Sequence, residues 1–419
     1  MSAVRFLSAE KNPKKIQESF YSILIFVFAI SFVISIIVFL LSDTIALFVL
    51  QDETTSYYVK AGAGLIVLGA VTQIVTYYFR IFRQIQLFSG LTIYQSIGQL
   101  ILTFVLLING FGLRSVIGAN LLISFTLFLF ALFLIKQQIG VLIPKFCYLM
   151  DFLKFGAPLT PNGLIRWITD SSDRYIIGFL LGATMVGIYN AAYAIGSLIQ
   201  LLISPLQMIL YPELAKLYDE GNYDTVRLYI SMSIKYFCMI GIPAVFGLFL
   251  ISKPLILLFT TSDFLEGASV IPIVALAAFF GGIFQILINV TLLIKITRYN
   301  IYMQLSAATT NLFLNLYLIP IYGIIGAAYA TLISFLVLSF LGYLVAIKYI
   351  QIHIDLKSTF KCILSSGLMI IPLIFIPINS VISLTYTIFI GIITYFISLC
   401  ILKFFSPKEI GIIKSSVKL

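Results

Sequence analysis

Four charged side chains stand inside an otherwise apolar run. The run reads Phe155-Gly-Ala-Pro-Leu-Thr-Pro-Asn-Gly-Leu-Ile-Arg166-Trp-Ile-Thr-Asp170-Ser-Ser-Asp173-Arg174-Tyr-Ile-Ile-Gly178. Arg166, Asp170, Asp173 and Ile177 follow i, i+4, i+7, i+11 spacing, which puts them on one helical face. Arg174 lies four residues after Asp170 and is also in register to pair with it. Charge in hydrocarbon is costly and marks a pathway by default. Two readings stay open. In one, these residues form the polar wall of a water-filled cavity, where Arg forks meet phosphate oxygens and the carboxylates hold a coupling cation. In the other, they form a self-neutralising ladder that locks helices together. Lys235, eight residues into a later apolar run, fits either substrate contact or snorkelling to the interface. Asn311 and Asn315, at i, i+4, read as interhelical glue or cavity lining.

Other chemistries lack their residues. The one histidine, His353, sits in a loop beside Asp355 and cannot build a multi-histidine metal site, so neither metal nor cofactor is expected. The four cysteines, Cys147, Cys238, Cys362 and Cys400, are far apart and show no zinc or redox spacing, so they read as apolar packing residues. Asn289-Val-Thr291 has the glycosylation pattern but lies inside an apolar run. No Walker A motif is present, which argues against an ATP-driven pump.

The elements that must position these residues follow from composition. Of 419 residues, 61% are hydrophobic and only 10% are charged, against about 25% charged in a soluble domain. Such a chain reads as an all-α polytopic membrane protein. Twelve spans are expected, at 20–41, 59–79, 88–108, 115–135, 155–181, 185–210, 228–251, 268–293, 302–319, 324–347, 358–378 and 382–402. Twenty basic residues, among them Arg80, Arg83, Lys136, Lys295, Arg298 and Lys348, fall in loops on the N-terminal side, against Lys60, Arg114 and Lys253 opposite. That bias assigns both termini to the cytoplasm. It also reads the net charge of +10 as topology and excludes a nucleic-acid partner. All loops are short, so a membrane enzyme with an external catalytic domain is disfavoured. Pro158, Pro161, Pro205, Pro243 and Pro372 lie inside spans, where they interrupt the backbone ladder.

The chain also repeats itself. Ser42-Asp-Thr-Ile-Ala-Leu-Phe48 resembles Ser252-Lys-Pro-Leu-Ile-Leu-Leu-Phe259, Gln73-Ile matches Gln285-Ile, Leu122-Ile-Ser-Phe125 is identical to Leu332-Ile-Ser-Phe335, and Ile135-Lys136 matches Ile347-Lys348, all at offsets of 210–212. Spans one to four thus pair with spans seven to ten, in parallel orientation. The counterpart of spans five and six would fall upstream of residue 1. The expected division is a partial four-helix N-lobe at 1–150, a six-helix C-lobe at 151–350 and a terminal helix pair at 351–419.

Leu153-Lys-Phe-Gly-Ala-Pro-Leu-Thr-Pro161, Ser171-Ser-Asp-Arg-Tyr-Ile-Ile-Gly178 running on to Tyr193, and Leu210-Tyr-Pro-Glu-Leu-Ala-Lys-Leu217 resemble the polysaccharide-biosynthesis flippases of the multidrug/oligosaccharidyl-lipid/polysaccharide exporter superfamily. Val4-Arg5-Phe6-Leu7 resembles that family's loop before its third helix. The resemblance implies two lobes around a central cavity, here with an N-lobe lacking its first helix pair, and an extra helix pair at the end. It implies flipping of a polyprenyl-phosphate-linked oligosaccharide across the plasma membrane by alternating access, for cell-surface polysaccharide biosynthesis. Arg166 and Arg174 would meet phosphate or acidic sugars, with Lys235 a further contact. Asp170 and Asp173 would orient them or bind H⁺ or Na⁺. Membrane lipid, a polysaccharide polymerase and glycosyltransferases are the implied partners. A drug or cation antiporter of the same superfamily, a membrane enzyme and an inactive truncated homologue are the alternatives.

Overall fold

The computed structural model describes residues 12–47, 55–156, 160–296 and 298–405. The Val4–Leu7 motif, Lys11, Pro158, Lys408, Lys414 and Lys418 lie outside the described residues, as do the side chains of Pro161 and Arg166. Every long element is helical, because in hydrocarbon only a helix bonds its own backbone groups within one segment.

The chain forms two compact units, residues 1–163 and 164–419. The first holds α1 (Pro13–Leu40), α2 (Ser56–Ile81), α3 (Ile85–Ile108), α4 (Arg114–Ile139) and the short α5 (Leu149–Gly156). Asn12 caps α1, accepting from the Lys14 amide, and Pro13 takes the first turn, where its missing N–H is not needed. Phe20, Val75, Phe79, Leu127, Ala131 and Ile135 form the core that joins α1, α2 and α4. Glu18, itself buried, reaches the α4–α5 loop and accepts from the Lys145 amide at 2.7 Å.

In the second unit, α6 (Thr160–Leu181) turns at Gly182 into α7 (Ala183–Gly196). A six-residue 3₁₀ stretch, Ser197–Leu202, then leads into α8 (Ile203–Asp219). Pro205 sits in the first turn of α8, and its ring denies the Leu201 carbonyl an α-helical partner. This is the physical reason the expected span 185–210 is not one continuous α-helix. The unit continues with α9 (Tyr223–Phe259), a second 3₁₀ stretch (Ser262–Ser269), α10 (Val270–Leu293), α11 (Arg298–Ile350), α12 (Leu356–Leu373) and α13 (Val381–Ile401). α9 and α10 lie so close that a Cβ on Gly282 would run into the Phe237 ring. Phe237 in turn stacks on Phe279, with centroids 5.5 Å apart.

Among the described residues, ten helical segments are long and apolar enough to cross a membrane, and the chain is a multi-pass membrane protein. Twelve were expected. Two features account for the difference: α6 carries the four charges and falls outside the ten, and the 53-residue α11 is counted once although it breaks at Gly323 (φ 59, ψ −141).

The backbone repeats with the sequence. Arg83 after α2 and Lys295 after α10 both have positive φ (57 and 59), 212 positions apart. Gly112 before α4 and Gly323 inside α11 (55 and 59) are 211 apart, as are Gly140 after α4 and Gln351 after α11 (71 and 52). The closing hydrogen bonds recur too, Gln84 N to Phe79 O and Ile296 N to Thr291 O. Arg83 and Lys295 are the pair in which both residues are non-glycine and both pay for a left-handed conformation, which such residues rarely adopt. The α1–α4 set and the α9–α11 set thus share these backbone positions at the offset of the sequence repeat.

Candidate functional site

The α6–α7 hairpin builds the centre. Asp173 precedes Gly182 by nine residues and Tyr189 follows it by seven, so an antiparallel return brings them level. The Asp173 side chain is 1% exposed. Tyr189 donates to its Oδ2 at 2.6 Å, the Arg174 amide to its Oδ1 at 2.9 Å, and Arg174 Nη1 to the same oxygen at 3.1 Å. Arg174 is held on its other sides as well. Nε donates to Asn190 Oδ1 at 2.6 Å, Nη1 also donates to the Asp170 carbonyl at 2.5 Å, and the guanidinium lies 4.5 Å from the Tyr193 ring centre. A carboxylate and a guanidinium so engaged neutralise each other where water is scarce.

A polar cavity of about 450 Å³ opens beside this pair. Thr169 and Asp170 of α6 and Tyr193 of α7 form one side, and Ser197 and Gln200 of the 3₁₀ stretch another. Gln207 of α8, Gln285 of α10 and Gln304 of α11 complete a wall of amides, with Phe284 and Phe335 as apolar faces. Gln207 is fixed: its amide donates to the Gln285 carbonyl at 2.7 Å and accepts from Asn289 at 3.2 Å. A second cleft of about 390 Å³, between α9, α12 and α13, is lined almost wholly by apolar side chains such as Ile240, Leu373 and Ile388.

The expected site residues thus separate. Asp170 lines the cavity, and Asp173 and Arg174 form the adjoining pair, with the ion pair between neighbours in sequence. Arg166 lies on α6 one turn before Asp170, and its side chain is outside the described residues. Lys235 stands elsewhere, with its ammonium 4.9 Å from the Phe404 ring centre. Its charge is also one of the influences on Asp355, the N-cap of α12. Asn311 ties α11 to α6 by accepting from Ser172 at 3.1 Å, and Asn315 donates to Asn311 at 2.9 Å. His353 is exposed between α11 and α12. Cys238 and Cys362 are buried as packing residues, whereas Cys147 and Cys400 are exposed. Among the described residues no three His, Cys, Asp or Glu side chains converge as metal ligands would.

Sequence reasoning missed Tyr189, Asn190 and Tyr193 as partners, although Tyr189 and Tyr193 share a face of α7 at i, i+4 spacing. It also missed the glutamines, which are uncharged and come from four separate elements.

Residues 8–269, which contain α6, α7 and α8, match the family described as polysaccharide biosynthesis protein. The chain belongs to that family. The chain is 27% identical over 229 residues to a probable flippase AglR of Haloferax volcanii, an alignment covering 53% of this chain and 48% of the relative. It is 26% identical over 200 residues to the lipopolysaccharide biosynthesis protein WzxC of Escherichia coli, covering 47% and 40%. The chain spans about half the length of the curated relatives it matches. Among solved structures, a lipid II flippase MurJ in an inward closed conformation superposes with a TM-score of 0.76 at 20% identity, covering 96% of this chain and 87% of that one. An outward-facing multidrug resistance MATE family transporter gives 0.55 at 15% identity, covering 83% and 81%. The chain shares its fold with these two solved structures.

Proposed function

We propose that this protein flips a polyprenyl-phosphate-linked oligosaccharide across the plasma membrane for cell-surface polysaccharide biosynthesis. The observation that carries the reading is the polar cavity of about 450 Å³ inside a protein whose long helices are built for lipid. A hydrated sugar crossing hydrocarbon needs such a wall, while its lipid tail can stay in the bilayer. The relatives named as flippases support transport in preference to catalysis.

Alternating access would move the first lobe, residues 1–150, against the second, 151–350, with 351–419 as an accessory pair. Asp170, the carboxylate among the described residues lining the cavity, is our candidate for carrying the coupling H⁺ or Na⁺. Arg166 is assigned to the substrate phosphate. Asp173 and Arg174 hold the α6–α7 hairpin in the shape that presents Asp170. Lys235 is assigned to the α9–α12 packing, away from substrate. The bias of basic residues puts both termini in the cytoplasm. The substrate's chemistry requires glycosyltransferases upstream and a polymerase downstream.

Reconstitution tests the reading. Liposomes holding the purified chain and a fluorescent polyprenyl-diphosphate oligosaccharide are expected to move the label between leaflets, measured by quencher access. Asp170→Asn and Arg166→Ala are expected to slow that movement at least about tenfold while inserting normally, a loss equivalent to about 1.4 kcal/mol. Label movement no faster than in protein-free liposomes overturns the proposal.

A further inference from the structure

We infer that Tyr395 latches a proline hinge in α9, so that the terminal pair α12–α13 sets how the core bearing the α6–α7 hairpin is held; this goes beyond the flipping proposal and does not rest on it. In an α-helix the Met239 carbonyl would accept from the amide of residue 243. That residue is Pro243, which has no N–H and whose ring crowds the same carbonyl. An orphan carbonyl in hydrocarbon costs free energy until another group donates to it. Tyr395 of α13 supplies the donor. Its hydroxyl donates to the Met239 carbonyl at 2.6 Å, and the residue is 3% exposed.

The pairing is selective. Pro212, Pro254, Pro320 and Pro372 also lie inside helices and free the carbonyls of Met208, Leu250, Leu316 and Leu368. Among the described residues, Met239 is the one of these five whose carbonyl takes a hydrogen bond from a side chain of another helix.

Pro243 also stands at the boundary between two cores. Before it, Ile234, Phe237 and Ile242 of α9 pack in the core that holds Leu373 of α12 and Tyr395 and Leu399 of α13. Beyond it, Ile256 of α9 packs in a separate core with Ile177 of α6 and Ile188 and Tyr189 of α7. Leu248 lies between and packs against both. Tyr189 is the residue that holds the Asp173 carboxylate from across the hairpin. Sharp bends in long helices occur at prolines, so a bend at Pro243 turns one core against the other. The apolar cleft of about 390 Å³ lies beside the hinge, with Pro243, Ala244 and Gly247 on one wall and Gly391 and Tyr395 on the other, which leaves α9 room to bend there.

The test uses the full chain in lipid nanodiscs. Cys147→Ser and Cys400→Ser remove the exposed thiols, and nitroxide labels are placed through Leu180→Cys on α6 and Ile397→Cys on α13, both exposed positions. Pulsed EPR is expected to give one narrow distance distribution while Tyr395 is in place. Tyr395→Phe keeps the ring and removes the donor, and it is expected to raise the share of displaced distances about fivefold, as the loss of one ordinary hydrogen bond does. Pro243→Ala returns a backbone amide to the Met239 carbonyl, so in that background Tyr395→Phe is expected to leave the distribution unchanged. An unchanged distribution in Tyr395→Phe alone overturns the inference. So does a broadening of equal size with and without Pro243→Ala, which would show that the hydroxyl acts elsewhere than at the proline.

Discussion

Replacing Asp173 by asparagine keeps the side chain's shape and removes its charge, so it isolates what the ion pair contributes. The carboxylate is 1% exposed and accepts from Tyr189 and twice from Arg174. Removing one member of a buried pair costs about 3–5 kcal/mol, mostly because the other charge is left uncompensated. Arg174 is 25% exposed and keeps Asn190, the Asp170 carbonyl and the Tyr193 face. Those contacts place Asp173→Asn at the low end, about 3 kcal/mol. Tyr189→Phe removes one hydrogen bond to a charged acceptor, about 1.5–3 kcal/mol. The two changes share a contact, so together they should cost clearly less than their sum. Asp173→Asn combined with Arg174→Gln restores neutrality and should recover part of the loss. The assay is SDS-induced unfolding in mixed micelles, followed by Trp167 fluorescence. A stability within about 0.5 kcal/mol of wild type for Asp173→Asn, the scatter of ordinary surface substitutions, would refute the pair as a lock. So would an Asp173→Asn, Arg174→Gln variant less stable than Asp173→Asn alone.

Two further outcomes follow from packing and capping. Gly282→Ala sets a methyl group against the Phe237 ring, so overpacking should cost about 1–3 kcal/mol; a combined Phe237→Leu change should relieve it in the same unfolding assay. The Asp355 carboxyl is held below its usual range first by the Ser358 hydroxyl, then by the Ser358 amide and the charge of Lys235, against a burial effect that works to raise it. Its stabilisation of the α12 N-terminus is therefore complete above the ordinary carboxylate value, about pH 4, and lost as pH falls through the lower folded value. Hydrogen exchange of the Ser358 amide should accelerate, beyond its intrinsic pH dependence, only in that acid window, and Ser358→Ala should move the window upward. An unchanged profile in Ser358→Ala refutes the capping argument.

The fold was readable because hydrophobicity in a membrane is a local property: twenty apolar residues announce a helix wherever they pack. The repeat was readable for a related reason, since short matches such as Leu122–Phe125 with Leu332–Phe335 recur in the same order at one offset. The pairing on α6 was less so. Helical spacing pointed Arg174 at Asp170, but the guanidinium reaches that residue's carbonyl and makes its ion pair with Asp173. Tyr189 fixes the Asp173 carboxylate from across the hairpin, a contact no spacing on α6 alone reveals. The amide wall was invisible for a different reason. Gln200, Gln207, Gln285 and Gln304 lie up to 104 positions apart. Single uncharged polar residues within apolar runs carry no pattern until tertiary structure gathers them. Lys235 shows the converse, a charge conspicuous in sequence that the fold stacks against Phe404.

The 3₁₀ stretch between α7 and α8 stores a screw. A 3₁₀ segment advances about 2.0 Å per residue at 120° each, and an α-helix about 1.5 Å at 100°. Rewinding the six residues Ser197–Leu202 to α pitch would shorten the segment by about 3 Å and turn α8 by about 120° about its axis. Gln207 would swing away from Gln285 and the amide wall would open, with each amide passing from the carbonyl three residues back to the one four back and the Leu201 carbonyl left unbonded at Pro205.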